Sequence, residues 1–426
     1  MEPGYNQSEM NRRLLRRSAW PARLALVFAS VATMLGVTEL AFRRFLPVRG
    51  MIYMLDDRYL FRHIPGSRKL AGAAGGNGRK VLVKVNAAGR RGDESALRHA
   101  VHRVVVYGDS FISAEYTPES DTYVSQLERL LNERVGLTKV LNAGVTGYGV
   151  DQESLRIEDD LPVIRPDLVI VAAYSGNDFG DLLRDKLYRL DDDGRLISNV
   201  PVIDPALRRD FHAPFELSSI QIARAFQSAY EHWARRRASR AAPPAAPVDP
   251  TAARLANRES EYENFVVRGD NVVRNLLADE YDADVSLEPD SPSARYRVRL
   301  MDRVVERIQQ ATRRSGARLL FLIIPEWCDL SGTCDASQAR RRYPGYRPAG
   351  LTDALATIAQ QRGVASLNLF ESFQHGAAAG LYHPFDEHWN GRGQQLAARL
   401  SADLILRAGL LGPEAGRKTA GRGVGR

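Results

Sequence analysis

The stretch Val104-Val105-Val106-Tyr107-Gly108-Asp109-Ser110-Phe111 decides the fold. Four apolar residues in a row, three of them β-branched, read as a strand buried on both faces. The run stops at Gly-Asp-Ser, and Val124, Leu127, Leu130, Leu131 and Val135 follow at helical spacing. The pattern then recurs. Lys139 to Leu141 ends in Asn142-Ala143-Gly144, and Leu168 to Tyr174 ends in Ser175-Gly176-Asn177-Asp178. Leu319 to Ile324 is stopped by Pro325, and Ala365 to Leu369 is a fifth run. Leu300, Met301, Val304, Val305, Ile308 and Ala311 form one helix face, and Leu351 to Gln361 and Gln394 to Leu406 read as further helices. Continuous apolar strands alternating with helices predict an α/β fold, a doubly wound parallel sheet covered on both faces, with right-handed crossovers.

Composition agrees with a chain that buries a core. Of 426 residues, 44% are hydrophobic and 26% charged, which excludes wholesale disorder, a collagen-like fibre and a many-span transporter. Two cysteines exclude a disulfide scaffold or a Cys-rich zinc module. The net charge of +8 gathers towards the two ends, so the middle of the chain has no need of a polyanion. Near the N-terminus, Arg12, Arg13, Arg16, Arg17 and Arg23 precede the apolar run Leu24 to Phe42, broken only by Glu39 and closed by Arg43-Arg44. At 1.5 Å per residue this run is roughly 28 Å of helix, close to a bilayer core. No small-residue cleavage site follows it, and the arginine bias places the N-terminus in the cytoplasm. The expectation is an uncleaved single-pass anchor, with the rest of the chain outside the cytoplasm.

The organisation expected from these signals is a basic segment over 1–23, an anchor over 24–44 and a juxtamembrane stem over 45–100. The sheet domain then occupies 101–185 and 299–410, with an insertion or lid over 186–298 and a disordered tail over 411–426. Within the stem, Val81 to Val85 reads as a short edge strand, and Asn86 to Gly89 as a turn. Within the insertion, Asp191-Asp192-Asp193-Gly194 reads as a hairpin turn, and Ala238 to Pro250 as an Ala/Pro-rich linker.

In an open parallel sheet, ligands bind beyond the carboxyl ends of the strands. Four polar segments fall at or beyond such ends: Gly108 to Phe111, Asn142 to Gly147, Ser175 to Asp178, and the later Asp386-Glu387-His388-Trp389-Asn390. Together they bring a hydroxyl, a glycine amide, a side-chain amide and an imidazole to one rim. Acyl transfer at a serine needs these parts. The hydroxyl requires a base, the base a carboxylate that fixes its tautomer, and the oxyanion a set of preorganised N–H donors. Ser110 is the nucleophile on this reading, His388 the base and Asp386 its orienter. The amides of Ser110 and Gly147 and the Asn177 side chain form the oxyanion hole. His383 is a rival base, disfavoured by its neighbour Pro384. Asp109 reads as a structural acceptor of loop amides, Asp178 as a helix cap, and Trp389 as either pocket lining or packing.

These four blocks, in this order, resemble the SGNH (GDSL-type) hydrolase superfamily over roughly 101–185 and 300–407. The resemblance implies a flavodoxin-like sheet and assigns the same nucleophile (Ser110), oxyanion donors (Gly147, Asn177) and base (His388). The commonest family pattern has Asp three residues before His, where this chain has Phe385. Asp386-Glu387-His388-Trp389 is similar to the Asp-x-His-Trp variant of alginate O-acetylation proteins. The stem and the membrane helix also resemble membrane-anchored bacterial proteins of envelope-polysaccharide pathways.

The function expected is a serine esterase acting on O-acyl groups of an extracytoplasmic glycan, with acetyl implied by the resemblance alone. One alternative is an O-acetyltransferase that passes the acyl group to a sugar hydroxyl, with a membrane-bound acyl donor protein as partner. The other is a non-catalytic glycan-assembly subunit, against which the intact Ser/Gly/Asn/His set argues. No cofactor, no metal and no nucleic acid is called for. Cys328 and Cys334 follow the fourth strand and, outside the cytoplasm, read as a disulfide closing a short loop at the rim.

Overall fold

The computed structural model describes residues 7–45, 52–72, 80–210, 222, 230, 233, 250–277, 280–332, 334–375, 380–383 and 386–412. The chain divides into two compact units, Met1–Gly50 with Ala213–Pro243, and Met51–His212 with Pro244–Arg426. In the first, the helix Gln7–Phe45 contains an apolar window, Trp20–Ala41, of 22 residues with mean hydropathy 1.9, none of it buried. At 1.5 Å per residue that is about 33 Å, long enough to cross a bilayer. Glu39 near its end accepts a hydrogen bond from the backbone N–H of Ile222 at 3.1 Å.

The second unit is built on five parallel strands: β1 (His102–Gly108), β2 (Thr138–Asn142), β3 (Leu168–Tyr174), β4 (Arg318–Ile324) and β5 (Ala365–Asn368). Their order is β5-β4-β3-β1-β2, the doubly wound, flavodoxin-like arrangement. Strand residues alternate between two cores. Val105, Val169, Val171, Phe321 and Ile323 face one side, with Leu300, Val304 and Ile308 of the helix Pro292–Ser315. Val104, Val106, Ile170, Leu320 and Leu322 face the other. There they pack with Leu127 and Leu131 of the helix Tyr123–Val135, and with Ala398 and Ile405 of the helix Gly391–Arg407. Both faces are covered, so the strands carry continuous apolar runs instead of alternating ones. Local signals set the helix ends. Thr122 caps Tyr123–Val135 through Ser125, and Ser291 with Pro292 opens Pro292–Ser315, which Gly316 closes at φ +77°.

Two boundaries differ from the sequence expectation. The stem is not a spacer. Its strands Tyr53–Asp56 and Leu60–His63 pair antiparallel, as do Arg68–Ala71 and Val81–Lys84. Ile52, Phe61, Val81, Val83 and Val85 are buried in the same core as Val105 and Val169. Short strands of this kind have no stable face of their own and take one from the sheet domain. The stretch 186–298 is also not one insertion. Its middle, Ala213–Pro243, belongs with the N-terminal helix, and its end falls inside the helix Pro292–Ser315. The Asp191-to-Gly194 turn does join a hairpin, Tyr188–Leu190 with Leu196–Ser198. Residues 238–249 of the expected linker and 413–426 of the expected tail lie outside the described residues.

Candidate active site

The loop that carries Ser110 is made by local hydrogen bonding at the end of β1. Asp109 is the cap of a one-turn helix, Ser110–Ser113, and its carboxylate accepts from the Phe111 N–H at 2.8 Å. This holds Ser110 at the first position of the turn. His388 stands in the hairpin Tyr382–His383/Asp386–Trp389, and its Nε2 lies 2.6 Å from Ser110 Oγ. That separation is a hydrogen bond, and with the proton on Nδ1 the serine hydroxyl donates it. The Phe111 ring packs 4.9 Å from the His388 ring and 4.5 Å from Tyr174, so both sides of the contact are braced by aromatic packing. His383 does not make this contact. Asp386 opens the second strand of the hairpin, but its side chain lies outside what the structure describes.

The other two rim segments come from β2 and β3. The loop after β2 is pinned to β1 by Ala143 N–H to Val106 O and Val145 N–H to Gly108 O, both 2.9 Å. Asn142 also donates to Ile112 O at 2.8 Å. Gly147 has φ +83°, a backbone state only glycine adopts freely. Gly144 serves by its lack of a side chain. A Cβ there would sit 2.5 Å from Ser113 N and 2.7 Å from Ile112 Cβ, so this glycine lets the loop approach the nucleophile turn. Asn177 begins the helix Asp178–Asp185, makes no side-chain cap, and keeps a buried amide oxygen without a protein partner. That oxygen is an acceptor, so an oxyanion would have to be met by the Asn177 Nδ2 hydrogens instead.

Two expectations change, and at Trp389 the packing alternative holds. Asp178 does not cap the helix; its carboxylate turns back and accepts from Tyr174 N–H at 2.7 Å. Trp389 is 1% exposed and packs on Phe111, Phe373 and Tyr123, so it is core and not pocket lining. Cys328 and Cys334 form a disulfide with Cα atoms 5.6 Å apart, but they join two short helices, Trp327–Ser331 and Asp335–Arg340, where a loop was expected. Beside it, Arg340 bonds Glu326 and Asp329 and stacks over Tyr281. Among the described residues, Glu326, Cys328 and Glu387 bring potential metal-ligand atoms within 4.8 Å of one another. The Cys328 sulfur is consumed by the disulfide, which leaves two carboxylates, one of them bonded to Arg340. That is a poor metal site.

Sequence reasoning missed the acidic layer behind the rim. Asp151, Glu153 and Asp178 are all buried. Burial, reinforced by Asp109 and Asp151, pushes the Glu153 carboxyl well above its usual range, and both its oxygens are buried with no partner. Burial with Asp185 does the same to Asp151. A carboxyl raised in the folded state binds its proton there more tightly than in the unfolded chain. Stability is therefore lost as pH rises above the unfolded value of about 4.3 towards the folded one. Glu153→Gln removes the ionisation and keeps the shape. It is expected to raise Tm at pH 8 by about 2 °C or more, and to leave Tm unchanged at pH 4. Thermal melts of both proteins at the two pH values check this.

Comparison with known proteins adds little at the sequence level. No known family profile matches the chain, and no curated protein sequence matches it. TesA, Axe2 and EstA are among the solved structures that resemble it. TesA is 13% identical, with 73% of this chain and 100% of that chain covered and a TM-score of 0.36. A catalytic mutant of Axe2, an acetylxylan esterase from Geobacillus stearothermophilus, is 12% identical, covering 72% and 94% with a TM-score of 0.37. The psychrotrophic esterase EstA from Pseudoalteromonas sp. is 10% identical, covering 72% and 98% with a TM-score of 0.35. Likeness at that level carries no argument about chemistry, which rests on the geometry of the rim.

Proposed function

We propose that the chain is a serine esterase that cleaves O-acyl groups through an acyl-enzyme on Ser110. The observation that carries this is the 2.6 Å contact between His388 Nε2 and Ser110 Oγ at the end of β1. It sits beside the crevice between β1 and β3, where the strand order reverses. Ser110 Oγ attacks the ester carbonyl carbon and its proton passes to His388 Nε2. The carbonyl oxygen becomes an oxyanion, held by the amides of Ser110 and Gly147 and by Asn177. The bond to the alcohol oxygen then breaks, and that oxygen takes the proton from His388. In the second half His388 removes a proton from the acceptor, which attacks the acyl carbon; the bond from that carbon to Ser110 Oγ breaks, and Oγ takes the proton back from His388. Asp386 holds the His388 tautomer throughout.

Water as acceptor makes the protein a hydrolase; a sugar hydroxyl would make it an acyltransferase by the same steps up to deacylation. The glycan reading is supported by the apolar window Trp20–Ala41, with arginines on its N-terminal side, and by the Cys328–Cys334 disulfide, which suits an oxidising compartment. Acetyl as the acyl group rests on the family resemblance. The full-length protein in detergent is expected to hydrolyse p-nitrophenyl acetate, and Ser110→Ala to lose that activity by about 10³-fold or more. Equal rates for the two proteins would remove Ser110 from the chemistry.

A further inference from the structure

The stem reaches the site through one buried carboxylate. The helix Ser110–Ser113 ends at Ala114, whose N–H bonds Ser110 O at 2.8 Å and whose φ is +50°. Glu115 follows at once and is 6% exposed. Its carboxylate takes a hydrogen bond from the Tyr53 hydroxyl, an ion pair from Lys69, and a bond from Thr146 Oγ at 3.3 Å. Tyr53 and Lys69 lie on the stem strands Tyr53–Asp56 and Arg68–Ala71, and Thr146 is the residue before Gly147. One side chain thus touches the stem and the oxyanion loop, and it belongs to the residue immediately after the nucleophile turn.

A third stem residue touches the same turn directly. Arg91, 4% exposed, donates from its guanidinium to the carbonyls of Ser113 and Ala114, and to Thr117 O at 2.7 Å. Its backbone N–H bonds Asn142 O at 3.2 Å, on the edge strand β2. The carbonyls at the end of the nucleophile turn therefore meet a buried cation instead of water. A buried ion pair such as Lys69–Glu115 is weak evidence for stability, because desolvation offsets most of its attraction. Its geometric effect is firmer: it fixes the distance between two loops that must act on one carbonyl group. Burial pushes the Glu115 carboxyl up, but Lys69 and the Tyr53 hydroxyl outweigh it, so the group stays ionised and keeps accepting all three bonds.

We propose that Glu115, held by Lys69 and Tyr53, is a positioning residue that sets the Gly147 amide against Ser110, which makes the stem a working part of the site. The proposal rests on the reading of Ser110 as nucleophile. A displacement of about 1 Å between such groups can cost on the order of 10²-fold in rate. The test uses the full-length protein in detergent, with competent sites counted by exhaustive labelling of Ser110 with a fluorophosphonate. The readout is kcat per labelled site on p-nitrophenyl acetate. Lys69→Met and Glu115→Gln are expected to lower it by about 10- to 100-fold with KM within about twofold, and Lys69→Arg to restore most of the loss. Thr146→Val removes one hydroxyl and no charge, so it tests the link even where the charge variants fold poorly. It is expected to lower kcat per site by about 3- to 10-fold. If Thr146→Val and every folded charge variant keep the wild-type kcat per site, Glu115 only stabilises the fold and the proposal is wrong. If the wild type itself takes no label at Ser110, the nucleophile assignment has failed, and this proposal goes with it.

Discussion

His388→Ala is expected to lose roughly 10⁴-fold or more in kcat on a short ester, with His383→Ala close to wild type. Nucleophile and base act as one unit, so removing the base alone costs nearly as much as removing the whole set. The two histidines share a hairpin, but only His388 places a ring nitrogen at hydrogen-bonding distance, 2.6 Å, from Ser110 Oγ. The Phe111 ring beside it fixes the imidazole plane. Steady-state kinetics of both variants check this. A dead His383→Ala with an active His388→Ala would mean that the hairpin has been read in the wrong register.

Gly147→Ala is expected to lower kcat by about 10²-fold while KM changes little, the cost of one misdirected oxyanion donor. The residue is at φ +83°, where a side chain costs about 1–2 kcal/mol. An added Cβ would also lie 3.1 Å from Leu277 Cδ2 and 3.2 Å from Leu276 O. Leu276 and Leu277 belong to the segment between the strand Val272–Val273 and the helix Ala283–Leu287, so this part of the chain lies against Gly147. The contact with the backbone oxygen of Leu276, added to the strain at positive φ, is expected to turn the Gly147 N–H from its present direction. Kinetics with a circular-dichroism check on folding separate this from general destabilisation. A variant with wild-type kcat would remove Gly147 from the oxyanion hole.

The sheet was legible because each strand is an apolar run closed by a polar stop, and a strand buried on both faces admits little else. All five runs became strands, Leu168–Tyr174 without a change of boundary. The rim was legible for a related reason: the residues that end a parallel strand are those that face the ligand crevice. Other features carry no local signal. Glu115 meets Tyr53 and Lys69 across 62 and 46 positions of sequence, and short strands such as Arg68–Ala71 look like linker until a core exists to receive them. Glu153 sits on the helix Val150–Ile164 among residues that read as an ordinary polar face. Only its burial in the folded chain, 1% exposed, shows that this face points inward. What matters at Gly144, the 2.5 Å approach of a Cβ to Ser113 N, is likewise set by packing.

The central claim is that Ser110 is an activated nucleophile, and covalent capture tests it most directly. Full-length protein in detergent is incubated with a fluorophosphonate, digested, and the modified residue located by mass spectrometry. The account predicts a single adduct on Ser110, and much slower formation of it in His388→Ala, where nothing takes the hydroxyl proton. An adduct on another serine, or labelling of Ser110→Ala at the wild-type rate, would contradict it.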